Sequence, residues 1–432
     1  MQIKFITKYF PARLLALASI IVLLANCQDK EQIHQLVQDR TDEIFDSLVV
    51  VRRDIHQHPE MFFEEFRTSN LVAKYLESLG LEVHRNIGGT GVVAILRGTE
   101  EGKTIAWRAD MDAISSEFPD VVEFASKVEG VRHGCGHDVH TTIGLGMANV
   151  LSSMRHRLKG NVVFIFQPAE ETPIVRVYSG AQAMIDDGLF NIVKPDELYA
   201  THISDFPVGK VSIYPGRIFA HLKPIIIRFN LDSDPEAVKK QIEAQLMGFN
   251  SHSINLWKAM GDPKIGIFGD STLFNDFVCS RVFEAEKDEQ EYIIYGQLAS
   301  SDPEQLIATS KQIKEVISNI SDDSNALEIE FGEDYYNHYN DPELSNLSRE
   351  FIRNLYGATA IIRPHGLVPG SGDDFSILQE NIPGGYYAIG GSNAKKGIIS
   401  APHSPNFAVD ESAISYGVSY FSSLIIERLN SE

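Results

Sequence analysis

Cys135 and His137 stand two residues apart in the stretch HGCGHDVH, and three more pieces of sequence offer atoms of the same kind. QPAEE ends in the pair Glu170–Glu171, ATHIS carries His202, and PHSPNF carries His403. Thiolate, imidazole and carboxylate are the donors that hold divalent metals side by side. Each piece alone has an ordinary explanation. A Cys-x-His pair can be structural, adjacent glutamates usually form a solvated face, and a lone histidine is usually a core or surface side chain. Their occurrence together makes that explanation a poor one for the whole set. The glutamate pair also suits a strand passing into a loop. Consecutive strand residues point to opposite faces, so one carboxylate can face a metal and the other a substrate.

The elements around these residues alternate. Helices are expected over residues 31–58, where Pro59 follows, and over 69–79, which ends at Gly80. GVVAILRG, TIAWRADMDA, NVVFIFQPAEE and ELYATHIS read as strands, and TTIGLGMANVLSSMRHRL as a helix. Such alternation predicts an α/β fold, a mixed sheet sandwiched by helices. Ligands in such sheets bind beyond the carboxyl ends of strands, which is where Asp110, Asp112, Glu170, Glu171 and His202 fall. The pattern changes near Gly216. PIIIRFNL, DPEAVKKQIEAQL, QEYIIYGQLA, DPEQLIATSKQIKEVISNI and ALEIEFG predict an inserted β-α-β-α-β unit. The expected organisation is a signal segment at 1–27, a discontinuous catalytic domain at 28–215 and 336–432, and a smaller α+β lid at 216–335 resembling a dimerisation domain.

A length of 432 residues allows two domains of ordinary size, and 43% hydrophobic with 22% charged residues is a globular composition. The formal charge of -21, without a basic cluster, argues against nucleic acid as a partner. Lys4, Lys8 and Arg13 precede a 12-residue apolar run from Leu14 to Ala25, the layout of an export signal. The run closes on LLANC, which resembles a bacterial lipobox with Cys27 as the lipidated residue. Anchoring to the outer membrane or cell surface is therefore expected, with a periplasmic or secreted form as the alternative. The remaining cysteines are Cys135 and Cys279. A disulfide between them is the alternative for an exported protein, but the histidines around Cys135 favour a metal-bound thiolate.

The chain resembles the glutamate carboxypeptidase/aminoacylase superfamily of dinuclear metallohydrolases. Within it the likeness is to the hippurate hydrolase and auxin-conjugate amidohydrolase branch. The phrases that carry it are RRDIHQHPE, TGVVAILRG, RADMDAI, HGCGHDVHTT, FIFQPAEET, GAQAMIDDGLF, SGDDFS, IPGGYYAIGG and HSPNF, spread over residues 50–210 and 340–432. The resemblance implies two divalent metal ions, zinc or manganese, held by Cys135, His137, Glu171, His202 and His403, with the Cys135 thiolate as the bridge. It implies Glu170 as the general base and Asp112 as the residue that orients a ligand histidine. Asp110 is expected at the pocket, and Asp373, where the family usually has glutamate, as a loop-ordering residue. His56 and His58 are expected to be structural, and His133 and His140 to flank the ligand loop.

The resemblance fails in the lid. The branch's Gly-Gly-His-Ala phrase, whose histidine reaches the partner subunit's site, has no counterpart here. The later Gly-Thr-x-Arg is absent too, since YGQLASSD has no arginine. Asn275 is the candidate for the family's lid asparagine, and His221 or His252 could substitute for the histidine. Hippurate-like substrates are therefore expected to turn over weakly. The leading expectation is a metal-dependent amidohydrolase or peptidase acting on N-acyl amino acids or small peptides, able to pair as a homodimer through the lid. The alternative is a catalytically weakened, metal-containing surface lipoprotein that acts as a binding protein.

Overall fold

The computed structural model describes residues 10–172, 178–321, 327–332, 338–370 and 372–431, with side chains from residue 32 onward. Cys27 and the charged start of the signal segment therefore lie outside the described side chains.

A seven-stranded mixed sheet carries the site, in the order Glu82–Ile87, Gly91–Arg97, Lys159–Gln167, Glu100–Asp110, Glu197–Pro207, Gly384–Ser392, Val211–Ser212. The four strands from Lys159–Gln167 to Gly384–Ser392 are parallel, and the flanking ones are antiparallel. Parallel strands need cover on both faces, so their sequences read as continuous apolar runs such as VVFIF. Alternate residues divide between two cores. Val92, Ala94, Val162 and Phe164 pack under the helices Phe66–Ser78, His137–Ser153 and Ser412–Leu429 and the long N-terminal helix Phe10–Gln57. Val93, Ile95, Val163 and Ile165 pack under Gly180–Asp186 and Phe375–Gln379. The sandwich expected from the sequence is the architecture observed.

The short strands Gly216–Arg217 and Tyr339–Asn340 pair, bringing the two connections to the insertion together. The insertion forms its own antiparallel sheet, in the order Val278–Lys287, Glu291–Ser300, His221–Asn230, Glu328–Phe331. Helices Pro235–Met247 and Pro303–Ile320 cover one face. Both begin at Asp-Pro, and Asp234 and Asp302 accept hydrogen bonds from the first-turn N–H groups. The three strands expected here are four. Val278–Lys287 escaped the sequence reading because a register shift between Val282 and Ala285 breaks the two-residue period, and its second half, FEAEK, is mostly charged.

The other face of the lid sheet is covered by an irregular segment, residues 250–277. Leu256, Ile267, Phe274 and Phe277 pack there with Leu222, Cys279 and Ala299. The same segment touches the catalytic layer. Phe268 meets Phe206 with ring centroids 5.3 Å apart, His365 N donates to Ile267 O at 2.7 Å, and Leu367 N donates to Phe274 O at 3.0 Å.

Candidate metal centre

The ligand helix starts at His137, and its N-cap, Gly136, has φ 99°. Only glycine takes that left-handed turn without strain, and a Cβ there would meet Ile203 at 3.3 Å. The turn lets Cys135, before the helix, and His137, inside it, serve one place. Cys135, His137 and His202 bring ligand atoms within 4.8 Å of one another, and so do Cys135, Glu171 and His403. Cys135 is common to both sets. Its sulfur lies 3.3 Å from His202 Nε2. Cys135 and Cys279 are both free and buried, so the disulfide alternative is not the arrangement found.

Each buried histidine of the set has one nitrogen engaged and one left over. His137 Nδ1 is 3.0 Å from Asp112 Oδ1, and its Nε2 is buried without a hydrogen-bond partner. His202 Nδ1 donates to Ile203 O at 2.6 Å, leaving Nε2 facing the sulfur. Fixing the far nitrogen selects the tautomer whose near nitrogen carries a lone pair. His403 is exposed, holds the left-handed φ of 61°, and places Nε2 3.0 Å from Glu171 Oε1. Asp112 Oδ2 accepts from Glu171 N at 2.8 Å, so one carboxylate positions both His137 and Glu171. A buried, unpartnered imidazole lone pair is costly unless a cation satisfies it. Thiolate, imidazole and carboxylate at this spacing fit two divalent ions.

The protonation pattern of the bare residues points the same way. Burial opposes a charge on His137, yet Asp110 and Asp112 outweigh it and raise its pKa to about 10. Glu171, above all, raises His403. Glu171 itself falls to about 2, because His403 and His137 outweigh its burial. Burial, reinforced by Glu171 and Glu170, pushes the Cys135 thiol well up. Protons thus occupy the places where this cluster of acids calls for positive charge.

Glu170 sits on the other side of the pair. Its Oε2 is 3.8 Å from His137 Nε2, and it shares a second acidic cluster with Asp373 and Asp374. Burial, then Asp373 and Glu171, hold its carboxyl well above the usual range. Ala169, just before it, has φ 54°, a left-handed value rare outside glycine that re-aims the strand end.

Asp110 accepts from His140 Nδ1 at 2.7 Å, and His140 Nε2 accepts from Ile203 N at 2.8 Å. Both nitrogens of His140 are therefore engaged, which keeps it out of the donor set. His56 Nδ1 is 2.9 Å from Asp138 Oδ2, and His58 Nδ1 is 2.8 Å from Asp54 O. His133 is buried with both ring nitrogens unpartnered. Asp373 orders its loop by accepting from Phe375 N at 2.8 Å, and its own N–H donates to His338 Nε2 at 2.7 Å.

Several residues of the site escaped the sequence reading. Arg108 is fully buried and bonds Asp110 at 2.5 Å, Asp373 at 2.8 Å and Asp374 at 3.0 Å. Its signal was a charged residue inside an apolar strand next to two quoted acids. Glu65 is fully buried and accepts from Ala169 N at 2.8 Å, bracing the Glu170 turn. Nothing in FFEEF distinguishes it from a surface acid. Arg281, on the unforeseen lid strand, lies over the Trp257 ring at 3.9 Å.

The model of peptidase family M20/M25/M40 matches residues 106–427. The chain belongs to this family. Thermostable carboxypeptidase 2 of Saccharolobus solfataricus is 32% identical over 402 residues, covering 90% of this chain and 97% of that one. N-acetylcysteine deacetylase of Bacillus subtilis is 30% identical over 393 residues, covering 88% and 96%. Among solved structures, the Bacillus subtilis YXEP protein, described as a dinuclear metal binding peptidase of the M20 family, superposes with a TM-score of 0.67. It is 28% identical, covering 90% of this chain and 99% of that one. The M20 member described here is thus a metal-dependent hydrolase of amide or peptide bonds, with divalent metal ions as its cofactors. The binding-protein alternative gains no support from these relatives or from the donor set.

Proposed function

We propose that this M20 hydrolase cleaves the amide bond of N-acyl amino acids or small peptides at two divalent ions, zinc or manganese. In this reading Cys135, His137 and His202 would hold one ion, and Cys135, Glu171 and His403 the other. One observation carries the assignment: two donor sets share the Cys135 sulfur. The relatives named as a carboxypeptidase and an N-acetylcysteine deacetylase support the substrate class.

When bound, the ions polarise the scissile carbonyl and make a water acidic enough to attack near neutral pH. Glu170, whose Oε2 lies 3.8 Å from His137 Nε2, is placed to accept a proton from the attacking water and to return it to the departing nitrogen. Asp112 keeps His137 and Glu171 in register, and Arg108 ties together the Asp110, Asp373 and Asp374 carboxylates and offsets part of their charge. Export with lipid on Cys27 and pairing of two copies through the lid belong to the same reading, on the strength of LLANC and the open edges of the lid sheet.

The test is hydrolysis of a mixed panel of N-acyl amino acids and dipeptides by the mature chain, before and after chelation. Turnover that vanishes with chelation and returns with zinc or manganese is the expected result. Absence of turnover across the panel in metal-loaded protein would refute the reading.

A further inference from the structure

His403 is held differently from the other candidate ligand histidines. The far nitrogens of His137 and His202 are fixed by Asp112 and by the Ile203 carbonyl. That is the usual way a protein orients a ligand imidazole. Among the described residues no acceptor takes His403 Nδ1, and the side chain is 53% exposed. Its aim therefore has to come from the backbone. That backbone is left-handed at His403, with φ 61°, a conformation that a non-glycine residue keeps only where its surroundings impose it. Packing along the loop does little of this. Residues 401–406 are half-buried or exposed, and Phe407 is the first buried side chain after His403.

Two groups from the Cys135 loop impose the conformation. Gly134 O accepts from His403 N at 2.9 Å. Arg132 Nη2 donates to Ser404 O at 2.7 Å, and its Nη1 donates to Pro405 O at 3.3 Å. The fork of one guanidinium thus spans the two carbonyls that follow His403, which a single ammonium cannot do as well. Arg132 is 2% exposed, and its Nε is buried without a hydrogen-bond partner. Burial lowers its pKa, and the charge of Asp120 opposes that only from beyond ion-pair distance. A buried cation with no carboxylate against it is a costly way to stabilise a fold. Both of its side-chain hydrogen bonds go to the His403 loop. Gly134 makes room for the arrangement. A Cβ there would stand 3.3 Å from Arg132 Nε and 2.7 Å from Ile114 Cδ1.

We propose that Arg132 is a positioning residue of the metal centre: by gripping the Ser404 and Pro405 carbonyls it fixes the backbone at His403 and so completes the Cys135, Glu171 and His403 donor set. The inference rests on the two-ion reading above. Arg132 and Gly134 lie just before Cys135 in the chain, so the segment that sets the sulfur also sets the imidazole. The two donors arrive as a unit, with Glu171 Oε1 3.0 Å from His403 Nε2. The Cys135, His137 and His202 set does not depend on this grip, because its imidazoles are held through their own rings. Arg132 bonds to backbone and acts through His403.

Zinc affinity tests this without turnover, by competition with a chromophoric chelator on the metal-stripped mature chain. Arg132→Met keeps the stem and removes the fork. It should weaken one of the two ions by about 10–100-fold, the usual effect of losing a group that orients a ligand. The other ion should bind as in the wild type, and that retained site reports that the variant is folded. His403→Ala should weaken the same ion. Adding Arg132→Met to His403→Ala should then weaken it no further, because two residues that act through one contact are not additive. Arg132→Lys, with one ammonium for two carbonyls, should recover part of the loss. Equal weakening of both ions, no weakening of either, or a further loss in the double variant would each overturn the proposal. If His403→Ala leaves both ions at wild-type affinity, His403 is not a ligand, and the two-ion reading falls and takes the proposal with it.

Discussion

Glu170 and Glu171 are neighbours in sequence with opposite titration, which gives the pair its clearest test. Glu170→Gln should keep both metals and lose roughly 10²–10⁴ in kcat, the range for a general acid–base group. Glu171→Gln should instead release metal, as read by elemental analysis after gel filtration. Full turnover by Glu170→Gln would remove it from the mechanism. Metal binding should also be proton-coupled. His137, raised to about 10 by Asp110 and Asp112 against its burial, and Cys135, raised by burial, both carry protons at neutral pH without metal. A cation must expel them, so affinity should rise with pH through neutrality, by about tenfold per unit for each proton released. Calorimetry in buffers of different ionisation enthalpy counts those protons, and a count of zero would contradict the donor set. The candidate ligands were legible because their residue types and order carry the chemistry. Arg108, Glu65 and Asp374 were not, since a charge acquires such a role only by being buried, and burial is a property of the fold.

The ligand helix His137–Ser153 is tied to the N-terminal helix by a buried ion pair one residue from His137. Arg52 Nε meets Asp138 Oδ2 at 2.7 Å, and both side chains are almost completely buried. His56 shares the same oxygen at 2.9 Å. Burial would raise the Asp138 carboxyl, but Arg52 and His56 outweigh it and hold the pKa far below its ordinary value. Arg52→Leu strands that carboxylate and should cost about 3–5 kcal/mol in denaturant unfolding of metal-free protein. Because the folded pKa is depressed, the Asp138 contribution is complete above the unfolded value of about 3.9 and is lost as pH falls through the folded one. The wild-type advantage over Arg52→Leu should therefore be largest at the alkaline end and shrink as pH falls, because burial raises the unpaired Asp138 carboxyl of the variant, which takes up its proton well before the wild-type one does. Helices such as Ser412–Leu429 and the parallel strands could be read from their apolar pattern. The strand Val278–Lys287 could not, because its bulge interrupts the alternation that marks a strand.

The lid reads in sequence as a detachable insertion, yet the molecule holds it down. The segment 250–277 has no periodicity to announce a role, and the contacts that tie it to the catalytic layer are long-range. Phe268 meets Phe206, and Phe274 O accepts from Leu367 N. Gly366 allows the closest approach, since a Cβ there would lie 2.5 Å from Phe274 Cβ. This packing holds the face that bears Arg281 against the chain's own catalytic layer. The family phrase missing from the lid is the one whose histidine serves the partner subunit's site. An enzyme that needed such a group would lose specific activity on dilution, as its dimer dissociated. Here the donor set and the segment that packs the lid onto the catalytic layer come from one chain. Specific activity of the metal-loaded enzyme should therefore stay flat from about 10 µM to about 1 nM, whether or not two copies pair at the higher concentration. Sedimentation at matched concentrations gives the oligomeric state for the comparison. Activity that fell in step with dimer dissociation would show that the partner completes the site, and the structural role assigned to residues 250–277 would be wrong.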